Sequence, residues 1–166
     1  MANYINPAPG TTSQIDLKLD CGIALGTLTL GASPLTVPSL KDITINASND
    51  VFTWSQLDST AKKQVATTST NSVSMNLVVD SLSFFGTTIT SVQTDTIAAQ
   101  GLLGLSRNKT LVTFALKVEE AGATDKWMKG QGYITGLAPT VSADSPVWVT
   151  PVTITVTGDF VVSATM

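Results

Sequence analysis

Apolar and polar residues alternate along much of the chain. In STNSVSMNLVVD, Val73, Met75, Leu77 and Val79 fall on one face, and Ser72, Ser74 and Asn76 on the other. That two-residue period is the mark of a strand buried on one side. QIDLKL repeats it, with Ile15, Leu17 and Leu19 against Asp16 and Lys18. DITIN points Ile43 and Ile45 inward. Near the end, Val152, Ile154, Val156 and Phe160 alternate with Thr153, Thr155, Thr157 and Asp159. Threonine suits this outer face because a β-branched side chain packs well on a pleated surface. GIALGTLTLG also reads as β-favouring, bent at Gly26 and Gly31, with Pro34 and Pro38 breaking any regular ladder beyond it. SFFG, residues 83–86, reads as a turn or a strand end. KTLVTFALKVEE and GQGYITGL supply further strands.

One stretch has another period. In TDTIAAQGLLGL, Ala98, Leu102 and Leu105 recur at helical spacing, and Thr94 or Asp95 is placed to cap the start. A helix is expected at about 94–105, interrupted by Gly101 and Gly104. Several strands and one helix predict an all-β fold: a β-barrel or sandwich of two packed antiparallel sheets with one flanking α-helix. No repeat, charge block or linker divides the chain, so residues 1–166 are expected to form a single domain. Its first residues, MANYINPAPGTT, contain prolines and a glycine and predict an arm over 1–13.

Composition narrows the functional classes. The chain is 43% hydrophobic and 13% charged, with a net charge of −3. So few charges argue against disorder and for a surface partly covered by partners. An acidic chain is not built to grip nucleic acid, whose binders neutralise phosphate with Lys and Arg. There is no histidine, which removes the commonest general base and metal ligand and every Ser-His-Asp triad. Cys21 is the single cysteine, so neither an internal disulfide nor a cysteine metal cluster can form; it reads as a small half-buried apolar residue. Glu119 and Glu120 are adjacent, which on a strand points them to opposite faces. No catalytic residue, cofactor site or metal site is expected, and the chain is not expected to be an enzyme. The start lacks the apolar core of a signal peptide, and no apolar run is long enough to span a membrane as a helix.

Between two plain strands lies NDVFTWSQLDSTAKKQ. It is too long for a hairpin turn and too apolar for an ordinary solvated loop. A long loop is expected over about 48–70, with Phe52, Trp54 and Leu57 as its apolar residues and Lys62 and Lys63 after them. Three readings are open: an interface with another subunit, a cover for the end of the domain's own barrel, or a short helix, since Trp54, Leu57, Ala61 and Val65 share helical spacing. Short strands with thin charge protection at their edges must be closed into a barrel or paired with copies of the chain.

DITINASNDVFTWSQLDSTAKKQVATTSTNSVSMNLVVD resembles the first half of phage tail tube (major tail) proteins, and GQGYITGLAPTVSADSPVWVTPVTITVTGDF resembles their closing pattern. The order of segments, from about residue 40 onward, carries the resemblance more than any one motif. It implies a fold shared with the type VI secretion tube protein. It implies six-subunit rings stacked into a hollow tube that conducts DNA during ejection. Partners would be further copies of the chain, other tail proteins at the tube ends and, in a contractile tail, a sheath protein. DNA would pass without specific binding. The implied location is the virion tail, assembled in the host cytoplasm. In that family the long early loop reaches the adjacent ring. Phe52, Trp54, Leu57, Lys62 and Lys63 are then its candidate contacts. An acidic lumen would repel phosphate; Asp16 and Asp42 are its candidate acids, with a solvated outer face as the alternative. Two other readings stay open. One is another virion β-protein, such as a head decoration, tail terminator or joining protein. The other is a carbohydrate-binding β-sandwich using Trp54, Trp127 or Trp148 as a stacking platform.

Overall fold

A computed structural model describes residues 16–37, 40–58, 60–118 and 126–166. The expected arm over 1–13 and the Glu119–Glu120 pair lie outside the described residues. The strands are β1 (Leu17–Cys21), β2 (Leu35–Thr36), β3 (Leu40–Trp54), β4 (Lys63–Val78), β5 (Val112–Val118), β6 (Lys126–Leu137), β7 (Thr140–Ser142), β8 (Ser145–Val156) and β9 (Val161–Ser163). Two helices, α1 (Ser81–Phe85) and α2 (Ile97–Arg107), separate β4 from β5.

The fold is all-β, as the alternation predicts, and every strand pairing is antiparallel. The layers are halves of one hydrogen-bonded sheet of nine strands, ordered β2-β1-β5-β6-β8-β4-β3, with β7 added to β8 and β9 to β6. This sheet must curl. Laid flat, its end strands β2 and β3 would stand about 29 Å apart. Yet Thr36 and Leu40 are separated along the chain by a stretch that spans at most about 14 Å.

The curl wraps one core. Leu17, Leu19, Val73, Met75, Leu77, Val112, Phe114, Leu116, Ile134, Val152, Ile154 and Val156 fill it from the strands. Phe84, Ile97, Leu102 and Leu105 enter from the helices. Ile43 and Ile45 pack against it, as their alternation predicts. Lys41 is an extra residue in β3, between the pairs Leu40↔Leu77 and Asp42↔Asn76. This bulge lets Leu40 and Ile43 share the inner face although their spacing is odd.

Three local expectations are corrected. Residues 22–34 form no strand; they cross the sheet as an irregular segment. The buried Gln131 side chain holds it, accepting from Gly26 N at 2.6 Å and donating to the carbonyls of Ala24 and Thr27 at 3.1 and 3.0 Å. Gly31 N donates to Asp20 Oδ2 at 2.6 Å. Side-chain partners thus replace a ladder that the β-favouring residues suggested. SFFG closes a helix instead: Ser83, Phe84 and Phe85 belong to α1 and Gly86 is its C-cap, while Asp80 caps the start through Ser83 N at 2.9 Å. The flanking helix starts at Ile97 with Thr96 as its cap; Asp95 is occupied in accepting from Val92 N at 2.8 Å. Inside α2, Gly101 takes φ 61° and kinks the helix, a conformation that side chains other than glycine rarely adopt.

Candidate assembly interface

The stretch expected to be a loop over about 48–70 is mostly a two-stranded ribbon. β3 and β4 remain paired out to Trp54↔Lys63, and only residues 55–62 connect them. The aromatic and β-branched residues that looked too apolar for a loop are those that favour strands. The helical reading of Trp54, Leu57, Ala61 and Val65 is likewise overturned, because Trp54 and Val65 belong to the two strands.

The ribbon leaves the body of the sheet. β8 pairs with β4 only from Asn71 to Val78. Residues 63–70 of β4 have β3 as their neighbour and extend about 26 Å past the end of β8. Its foot is fixed where the buried Asn71 amide donates to Gly158 O at 2.9 Å and to Asp159 Oδ1 at 3.2 Å. Beyond that foot, residues 46–53 and 61–70 are exposed. Midway, Thr67 and Thr68 together oppose Asp50, a bulge between Asn49↔Ser69 and Val51↔Ala66. Both hydroxyls donate to Asp50, Thr67 to its carbonyl at 3.2 Å and Thr68 to its carboxylate at 3.0 Å.

Outside the bulge the ribbon has two unlike faces. Phe52 and Trp54 lie on one, their rings stacked with centroids 5.9 Å apart and planes at 24°. Val65 is opposite Phe52, and Lys63 opposite Trp54. Val51 and Ala66 lie on the other face. Phe52 is 60% exposed, and Leu57, in the connecting turn, is fully exposed. Lys62 and Lys63 are exposed as well. The structure therefore brings Phe52, Trp54, Leu57, Lys62 and Lys63 together on one projection, and adds Val51 and Val65. The available signal was the β-branched and aromatic content of VFTW and of Val65, residue types that favour strands.

Asp16 and Asp42 are not brought together. Asp16 is half-buried beside Lys18 Nζ at 3.6 Å. Asp42 is exposed on the polar face of β3, where Asn76 donates to both its oxygens at 2.9 and 3.1 Å. The tryptophans are also dispersed. Trp54 is at the outer end of the ribbon, Trp127 lies under Lys18 Nζ at 5.7 Å, and Trp148 is near the start of β8.

At the other end of the same strands, the β7–β8 hairpin overhangs β4, whose last residue Val78 pairs with Val149. Val79 N donates to Trp148 O at 2.8 Å, and the chain passes at once into α1. Val141, Val147, Trp148, Leu82 and Phe85 are exposed here, Trp148 by 52%.

No family model and no curated protein sequence matches the chain. Solved structures do. A chain of the SPP1 tail tube, determined by solid-state NMR and cryo-EM, superposes with a TM-score of 0.60 at 10% identity, over 89% of this chain and 76% of that one. A tail chain of the empty gene transfer agent particle, refined with C6 symmetry, gives 0.59 at 12% identity, over 90% and 95%. A chain of the anti-feeding prophage baseplate gives 0.54 at 8% identity, over 96% and 99%. The chain has the tail tube protein fold.

Proposed function

We propose that this protein is a structural, non-enzymatic subunit of a phage-type tail tube, assembling into six-membered rings that stack into a hollow conduit for DNA. The observation that carries the reading is the ribbon. An isolated two-stranded ribbon is marginal in water, and this one presents Val51, Phe52, Leu57 and Val65 to solvent. A second surface must cover it, and on a tail tube fold that surface is another subunit. The tube assemblies to which the fold is similar, one of them refined with C6 symmetry, support the six-fold ring. A head-to-tail contact that closes gives a ring, and repetition along the axis gives a filament. The edge strand β3, with no further strand beside it among the described residues, offers a lateral contact between subunits.

In this reading the polar faces of the strands border the bore, DNA slides without specific binding, and tail proteins terminate the two ends in the virion. The dispersal of the tryptophans gives a carbohydrate platform no support. Negative-stain electron microscopy of the concentrated protein tests the proposal. Rings or tubes with a central hole are expected, spontaneously or when a tail-tip complex seeds them. A strictly monomeric species under both conditions overturns it.

A further inference from the structure

Lys129, on β6, is a charged residue taken out of water. It is 6% exposed, so even a side chain that snorkels leaves little of its ammonium in solvent. Among the described residues it has neither a hydrogen bond nor an ion pair. A Cβ on Gly130 would strike the Phe114 ring in the core, and successive strand residues face opposite ways. Lys129 is therefore on the outer side of the sheet, with Gln131, whose amide holds the crossing segment 22–34.

The neighbours on that side add to its charge rather than cancel it. Register sets Lys18, Ala115, Lys129 and Val161 in one row across β1, β5, β6 and β9. The next row has Lys117 opposite Trp127, and Lys18 Nζ lies over the Trp127 ring at 5.7 Å. Asp16 and Asp20 share the face, and both are engaged elsewhere. Asp16 is 3.6 Å from Lys18 Nζ. Asp20 accepts from Cys21 N at 2.8 Å and from Gly31 N at 2.6 Å. A buried ammonium without an anion costs a fold far more than a paired one. The outside of the chain is well supplied with the missing charge: Asp58, Asp80 and Asp144 are exposed, and the net charge is −3.

We propose that Lys129 is half of an ion pair whose carboxylate is supplied by a second copy of the chain, with Lys18 and Trp127 flanking the contact. This rests on the tube reading above, which brings copies together, and adds a charged contact on the β1–β5–β6 face.

Zero-length cross-linking in assembled tubes tests it. Tubes are grown from an equal mixture of ordinary and isotopically heavy subunits and treated with a water-soluble carbodiimide, which joins an amine to a carboxylate only where the two touch. Mass spectrometry of the digest should find Lys129 linked to an acidic residue in peptide pairs that mix light with heavy. Links confined to one isotope class, as to Glu119 or Glu120 of the same chain, overturn the proposal, and so does the absence of any link at Lys129. Lys129→Met keeps the stem and removes the charge. Its subunit should melt no lower than the parent. The concentration needed for assembly should rise about tenfold or more, because the partner's carboxylate is left unpaired. Lys109→Met removes an exposed charge and should leave that concentration nearly unchanged. An equal rise in both variants, or a Lys129→Met subunit that fails to fold, overturns the pairing and leaves the tube reading standing. Absence of tubes in the parent protein overturns both.

Discussion

Gln100 is completely buried and uses its whole amide. Its Nε2 donates to Asp95 O at 2.8 Å and to Gln93 O at 3.3 Å; its Oε1 accepts from Asn108 Nδ2 and Thr110 Oγ1, each at 3.1 Å. The residue ties both ends of α2 to the loop before it. Gln100→Leu would fill the volume but remove these bonds and leave the buried Thr110 hydroxyl without its acceptor, at about 1–3 kcal/mol for a buried group left unsatisfied. Urea denaturation should show a lower midpoint with an unchanged slope. Asp80 makes a simpler contact, accepting from Ser83 N and Ser83 Oγ at 2.9 Å each. These bonds, the backbone one first, hold its carboxyl below the ordinary value of 3.8. A depressed folded-state value stabilises above the ordinary value and stops doing so as pH falls through the lowered one. The wild type should therefore melt above Asp80→Ala at neutral pH, with the gap closing in acid below 3.8. A gap that persists unchanged in acid would mean the charged cap contributes nothing. Cys21 is half-buried, as its isolation in the sequence suggests, and burial, followed by the nearby Asp20 carboxylate, pushes its thiol up.

Among the elements, the ribbon stands clear of the core beyond its foot. Its residues beyond Asn71 bury little, so the free subunit should exchange amide hydrogens rapidly over 47–54 and 63–70. β5, with Val112, Phe114 and Leu116 buried, should exchange slowly. Trp54→Ala should leave the melting temperature of the subunit nearly unchanged, since substitutions away from the core usually stay within about 0.5 kcal/mol. The same change should raise the concentration needed for assembly about fivefold or more, because a buried aromatic anchor contributes at least about 1 kcal/mol per contact. Loss of the folded subunit would instead make Trp54 part of its own domain's packing. β6 depends on its neighbours differently. At Gly132 it passes from β5 to a close approach with β8, and a Cβ there would overlap the Thr155 carbonyl. That gives the GQGYITGL stretch a structural reason for its glycine at 132.

For the molecule as a whole, what was legible from the sequence followed one-sided burial. β4 and β8 announced themselves because water lies on one face and the core on the other. β5 is covered on both faces from Val112 to Leu116, and its run of apolar residues gives a strand without a facing. Ala98, Leu102 and Leu105 mark the helix but not its start, because Asp95 and Thr96 are both able to cap and only tertiary contacts choose between them. The ribbon is hard to read for the opposite reason. With both faces exposed, it has no inside to impose alternation, and aromatic residues on an unsupported strand look like a loop. The overhang of β8 past Val78 has no signal in the sequence, because the register between β4 and β8 that creates it is set by tertiary pairing.

The overhang at one end and the ribbon at the other give each subunit a head and a foot. A filament built from such units has the polarity of a one-way thread. In the tube proposed above, one terminus would expose ribbons and the other the overhanging β7–β8 hairpins. Growth at the two termini would then have different rates and different inhibitors. A protein that imitates the ribbon would stop one terminus and leave the other growing.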